Sequence, residues 1–104
     1  MDEIVKRDAV DYEVESHSLY EIINYNEPLV LRMMRDFYST DGDLCRCVIC
    51  VEDVFALALN SIPPRYIQST SLQAYKSSIS FIDEDRIRQK VREAVTKVHE
   101  SPKH

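Results

Sequence analysis

Between Leu29 and Tyr38 the apolar residues fall at positions 29, 30, 33, 34, 37 and 38. These are two adjoining i, i+4, i+8 stripes, which on a helix merge into one broad buried face with Arg32, Arg35 and Asp36 on the opposite side. Asn26 can cap this helix and Pro28 suits its first turn, while Thr40-Asp-Gly42-Asp43 ends it. From Val51 to Asn60 the chain is apolar nearly all the way round, which predicts a central helix whose Phe55, Leu57 and Leu59 lie in the interior. Glu52 and Asp53 fall in its first turn, where the helix dipole favours negative charge. Asn60 can take the left-handed conformation that closes a helix, and Pro63-Pro64 forbids continuation. A last helix is predicted from about Asp83 to His99, with Ile87, Val91, Ala94, Val95 and Val98 on one face. Nearer the start, Ser18-x-x-Glu21 has the form of a capping box, and Leu19, Ile22 and Ile23 make a short stripe for a further helix. Residues 61 to 78 are polar and open with proline; within them Arg65 to Gln68 reads as a short extended strand.

The pattern thus predicts a mainly all-α, compact domain of about four helices with one short strand after Pro64. Residues 1–16 form an acidic N-terminal arm and residues 17–104 the helical domain. Composition agrees: 44% hydrophobic residues suffice for a core, and a single glycine with no tryptophan argues against a turn-rich β fold. At 104 residues the chain is one domain that buries only about two-thirds of its unfolded surface. A homodimer or a bound metal would relieve that shortage, and the broad faces of the second and central helices offer apolar surface for a dimer. No signal peptide and no apolar run near the ~20 residues of a membrane span are present. An odd count of three cysteines without a secretory signal points to a reducing, cytoplasmic setting. The net charge of −5 weighs against long nucleic acid, whose binding needs many neutralised phosphates, but leaves room for a small phosphate ligand or a protein partner.

All three cysteines lie within six positions as Cys45-x-Cys47-x-x-Cys50, directly before the central apolar run. Thiolates bind zinc in tetrahedral sites, and a loop of this spacing feeding a helix N-terminus can set three sulfurs around one ion. The helix end also lowers a thiol pKa, favouring the binding form. No fourth cysteine exists, so His17, His99, Asp43, water or a group from another subunit would complete the set. His104 reads as solvated. The competing readings are that Cys47 and Cys50 are small buried apolar residues, or that the cluster is a redox switch.

The apolar run is followed by Pro63-Pro64-Arg65-Tyr66, a stiff element that displays a guanidinium and an aromatic ring at little entropic cost. Guanidinium binds phosphate bidentately or stacks on a purine, and tyrosine stacks or donates a hydrogen bond. Arg46 in the cysteine loop, with Arg32 and Arg35, could join Arg65 and Tyr66 in one anionic-ligand patch. The plainer alternative is that these arginines are solvated or pair with the abundant acids. No nucleophile–base arrangement and no glycine-rich phosphate loop is present, and nothing in the chain calls for an enzyme.

Taken in order, C-x-C-x-x-C, then Asp53-Val-x-Ala-Leu-Ala-Leu-Asn60, then a Pro-Pro element ending in Tyr66, this string resembles the signature of the ComFB family of small bacterial proteins. The resemblance implies a zinc-dependent dimer. It also implies a cytoplasmic receptor for a cyclic dinucleotide, cyclic-di-GMP or cyclic-di-AMP, that relays ligand state to a partner protein, as in members from photosynthetic bacteria. The alternative it implies is a zinc-binding structural accessory protein of natural competence without a nucleotide ligand.

Overall fold

A computed structural model of the chain describes residues 6–67 and 84–104. Three helices carry the fold: α1 (Asn26–Thr40), α2 (Val48–Asn60) and α3 (Glu84–Glu100). Ahead of them lie a 3-10 turn at Arg7–Ala9 and a small antiparallel hairpin of β1 (Glu13–Val14) and β2 (His17–Ser18). The all-α expectation holds, with three described helices in place of about four. The difference lies at residues 17–23. Ser18 does not open a helix there but ends β2, pairing with Glu13, and its hydroxyl accepts from the Tyr20 N–H.

α1 starts at Asn26 as its stripe predicts, but the capping oxygen belongs to Asn24, whose Oδ1 accepts the Asn26 N–H at 3.1 Å. The Asn26 side chain is fully buried and donates to the Pro63 carbonyl at 2.8 Å. Asn24 Oδ1 also accepts the Arg65 N–H, and Tyr66 pairs with Asn24 across a single antiparallel bridge. The strand expected after Pro64 is therefore this one bridge, up to residue 67; Gln68 lies outside the described residues. Its effect is to tie the Pro-Pro segment to the start of α1.

Val30, Met33 and Met34 are buried, and Leu29, Phe37 and Tyr38 pack around them, so the doubled stripe is the core face of α1. On α2 the buried stripe is Cys50, Val54 and Ala58, continued by Ile62. Phe55, Leu57 and Leu59, expected in the interior, are half-buried at the edge of the core. A helix apolar on all sides gives no periodic signal to say which stripe faces inward. α2 also begins at Val48, three residues ahead of the predicted start, which moves Glu52 and Asp53 into its second turn. Asn60 keeps helical geometry; among the described residues only Glu15 and Ser16 are non-glycine residues with positive φ. Ser61 closes the helix, its hydroxyl donating to the Leu57 carbonyl. α3 matches its prediction throughout: Ile87, Val91, Ala94, Val95 and Val98 are all buried, against both α1 and α2.

Candidate metal centre

Leu44 is buried and anchors the end of the loop between α1 and α2, so the cysteines that follow are drawn against the core. Cys47 is the N-cap of α2: its Sγ accepts the Cys50 N–H at 3.4 Å. That hydrogen bond is the main reason the Cys47 thiol is held below its ordinary pKa. Cys50, one turn on, is nearly inaccessible. Burial first, and the two neighbouring sulfurs next, push its pKa up to about 12. Three thiolates this close cannot all ionise without a cation among them; a divalent ion would supply the missing positive charge. Metal uptake would then release the Cys50 proton, so affinity would weaken as pH falls.

The fourth partner comes from the far end of the chain. After α3 ends at Glu100, the segment from Ser101 turns back along α2, where Lys103 Nζ meets Asp53 Oδ1 at 3.0 Å. This brings His104 Nε2 to 3.4 Å from Cys45 Sγ. The ligand atoms of Cys45, Cys47, Cys50 and His104 all lie within 4.8 Å of one another. A tetrahedral zinc with bonds of 2.0–2.3 Å needs ligand atoms separated by about 3.5–4 Å, so the set fits with only a slight contraction. His104, read from the sequence as solvated, is indeed exposed, but its ring also lies beside the three sulfurs, a proximity the sequence did not show. Asp43 and His99 line the adjoining cavity of about 200 Å³ but fall outside the cluster, and His17 stays exposed on β2. Sequence spacing could not reveal a residue 59 positions from Cys45; the one available hint was Lys103, a cation preceding a histidine, which could find Asp53.

The arginine group comes together only in part within one copy: Arg35 and Arg46 line one groove, while Arg32, Arg65 and Tyr66 lie elsewhere. Arg46 folds back over the end of α1, donating to the carbonyls of Tyr38, Leu44, Asp41 and Gly42. Arg32 pairs with Glu84 at 3.1 Å, and Arg35 lies on an apolar groove between α1 and α2. Arg65 lines a cleft of about 220 Å³ with Arg86 and Lys90, at the opposite end of α2 from Arg46. Tyr66 faces a separate hollow with Asn24 and Glu27 and is 60% exposed.

Residues 23–102 match the model of the family described as late competence development protein ComFB. The chain belongs to the ComFB family. Among solved structures it is similar to the late competence protein ComFB from Bacillus subtilis, at 26% identity and a TM-score of 0.61. That match covers 78% of this chain and 91% of the other. No curated protein sequence matches it. The ComFB match stops at residue 102 and begins at residue 23, so both His104 and the hairpin arm lie outside it.

Arg46 is the residue that shapes the cysteine loop, because its planar fork satisfies carbonyls left open where α1 ends. Arg46→Ala is expected to cost about 1–2 kcal/mol in urea denaturation, and Arg46→Lys to recover only part of it, since an ammonium cannot span the same carbonyls. A loss below about 0.5 kcal/mol would show the guanidinium to be merely solvated.

Proposed function

We propose that this ComFB-family chain is a cytoplasmic, non-enzymatic accessory protein of competence development, stapled by one zinc ion. The observation that carries the reading is the convergence of Cys45, Cys47, Cys50 and His104. A site closed by four protein ligands leaves no position for substrate and is structural in kind. Zinc there would join the entry of α2 to the residues after α3, fixing the two ends of the helical core against each other. Among the described residues no helix is long and apolar enough to cross a membrane, in keeping with this reading. Elemental analysis of purified protein is expected to give close to one zinc per chain. His104→Ala should weaken zinc binding by about ten- to a hundredfold while leaving three thiolates able to bind. Full metal content and unchanged affinity in His104→Ala would remove His104 from the site; metal-free, fully stable wild type would remove the site altogether.

A second reading, a cyclic-di-GMP or cyclic-di-AMP receptor acting on a downstream protein, is favoured by one observation. Arg65, Arg86 and Lys90 converge on one cleft beside Pro63, in a chain of net charge −5. Its volume of about 220 Å³ suits a phosphate and its sugar rather than a whole dinucleotide. Calorimetric titration with both cyclic dinucleotides tests it: binding that Arg65→Ala weakens by at least about thirtyfold supports the receptor. Absence of heat with either ligand leaves the accessory reading alone.

A further inference from the structure

The three sulfurs of the cluster are not equivalent. Cys47 caps α2 and Cys50 stands three residues on in its first turn, where its N–H donates to Cys47 Sγ at 3.4 Å. The Cα atoms of such a cap and the third residue of its helix are about 5–6 Å apart, inside the span that a disulfide bridges. Cys45 sits on the loop ahead of them, its Sγ 3.4 Å from His104 Nε2. Access differs as well: Cys47 is half-buried and Cys50 buried. A reagent from outside can therefore meet Cys47, whereas Cys50 is met only by its neighbours, with all the ligand atoms within 4.8 Å of one another. An accessible sulfur with a buried sulfur beside it is the arrangement in which attack on a disulfide is followed by resolution within the chain.

The same sulfurs govern how the segment after α3 is held. Pro102 and His104 cover a cavity of about 200 Å³ whose other walls include Leu44, Val54, Val95 and Val98. Apart from the cluster, that segment is held by the Ser101 N–H donating to the Lys97 carbonyl and by the Lys103–Asp53 pair. Lys103 is 71% exposed, and an ion pair so open to solvent contributes little. A metal ion joined to both His104 and the thiolates is then the main tether.

We propose that Cys47 and Cys50 are a dithiol–disulfide pair open to exchange with low-molecular-weight disulfides, and that its oxidation releases the zinc together with the segment carrying His104. Cys47 Sγ attacks one sulfur of the small disulfide and forms a mixed disulfide, while the other sulfur leaves as a thiolate with the electron pair of the broken bond. Cys50, as thiolate, then attacks Cys47 Sγ and expels the second small thiolate. The two protein sulfurs lose two electrons and the small disulfide gains two. Disulfide sulfurs are no longer thiolate ligands, so Cys45 and His104 alone face the ion, too few for a structural site. A pool of small thiol reverses both steps and restores the dithiol. The release rests on the zinc reading; the exchange does not.

Oxidised glutathione added to the zinc-loaded full chain tests it. A chromogenic chelator reads free zinc, and peptide mass spectrometry after alkylation of the remaining thiols locates the disulfides. The expected products per chain are one free zinc, two reduced glutathiones and a Cys47–Cys50 bridge, with Cys45 alkylated. That bridge should exceed all pairings of Cys45 together by about tenfold or more. Cys50→Ser, which removes the resolving sulfur, should accumulate glutathione on Cys47 at least about tenfold above wild type, a reading that does not need the variant to hold zinc. Bridges made mainly through Cys45, or glutathione held on Cys45 with the zinc retained, would overturn the pair. Zinc-loaded protein that resists a large excess of oxidised glutathione would overturn the exchange and leave the metal reading standing. Protein isolated without zinc that still forms the Cys47–Cys50 bridge would uphold the exchange and overturn the release together with the metal reading.

Discussion

Replacing Cys47 and Cys50 together by serine is expected to strip the chain of zinc and lower its melting temperature about as far as a full core truncation does. Serine is the informative choice. Its hydroxyl can still accept the N–H that Cys47 Sγ accepts as N-cap of α2, so the cap survives while the soft ligand is lost. What remains is the loss of metal. An ion that binds only the folded chain stabilises it by about 4 kcal/mol when free zinc exceeds the dissociation constant a thousandfold. For a chain of this size that corresponds to roughly 15–30 °C in melting temperature. A strong chelator should reproduce the fall in wild type and do nothing to the double variant. Lowering the pH should weaken zinc binding before it disturbs the helices, because the Cys50 proton, held by burial and the neighbouring sulfurs, competes directly with the ion. Chelated wild type that melts with the metal-loaded protein would return these cysteines to a packing role.

The helices were legible where one face alone is apolar. α3 shows the five inward positions in its periodicity because Arg88, Gln89, Arg92 and Glu93 between them are polar. α1 is similar, and its start at Asn26 was marked by local chemistry. α2 was legible as a helix but not in its orientation, since Leu57 and Val54 are equally apolar and only the neighbours decide which is buried. The segment at 17–23 misled because Ser18-x-x-Glu21 satisfies a capping pattern, yet too few apolar residues follow to sustain a helix against the Tyr12–Arg7–Tyr20 cluster. Three of the four candidate ligands were visible as a local spacing. The fourth was not, because it depends on how the residues after α3 return along α2, a placement set by Asp53 and Lys103. Arg46 was visible as a cation but not as the residue that satisfies the carbonyls ending α1, since backbone acceptors leave no trace in the sequence.

The second large effect belongs to the core and separates the two faces that α2 leaves ambiguous. Met33 is fully buried at the centre of α1, and Val54 and Val91 are buried as completely on the helices packed around it. Met33→Ala removes three heavy atoms from a site that three helices enclose and that cannot easily collapse. It is expected to cost about 3–5 kcal/mol in denaturant unfolding. Leu57 is only half-buried, beside Asp53, Val98 and Lys103, where water can reach the space a truncation opens. Leu57→Ala should therefore cost about 1–2 kcal/mol, less than half as much, although leucine and methionine are similar in size. Equal losses at the two positions would mean that α2 is rotated so that the Leu57 face points inward. Cys50, seven residues before Leu57 and nearly in line with it along α2, would stay inward in either orientation, so the pair of unfolding curves tests the packing of α2 without disturbing the buried thiol.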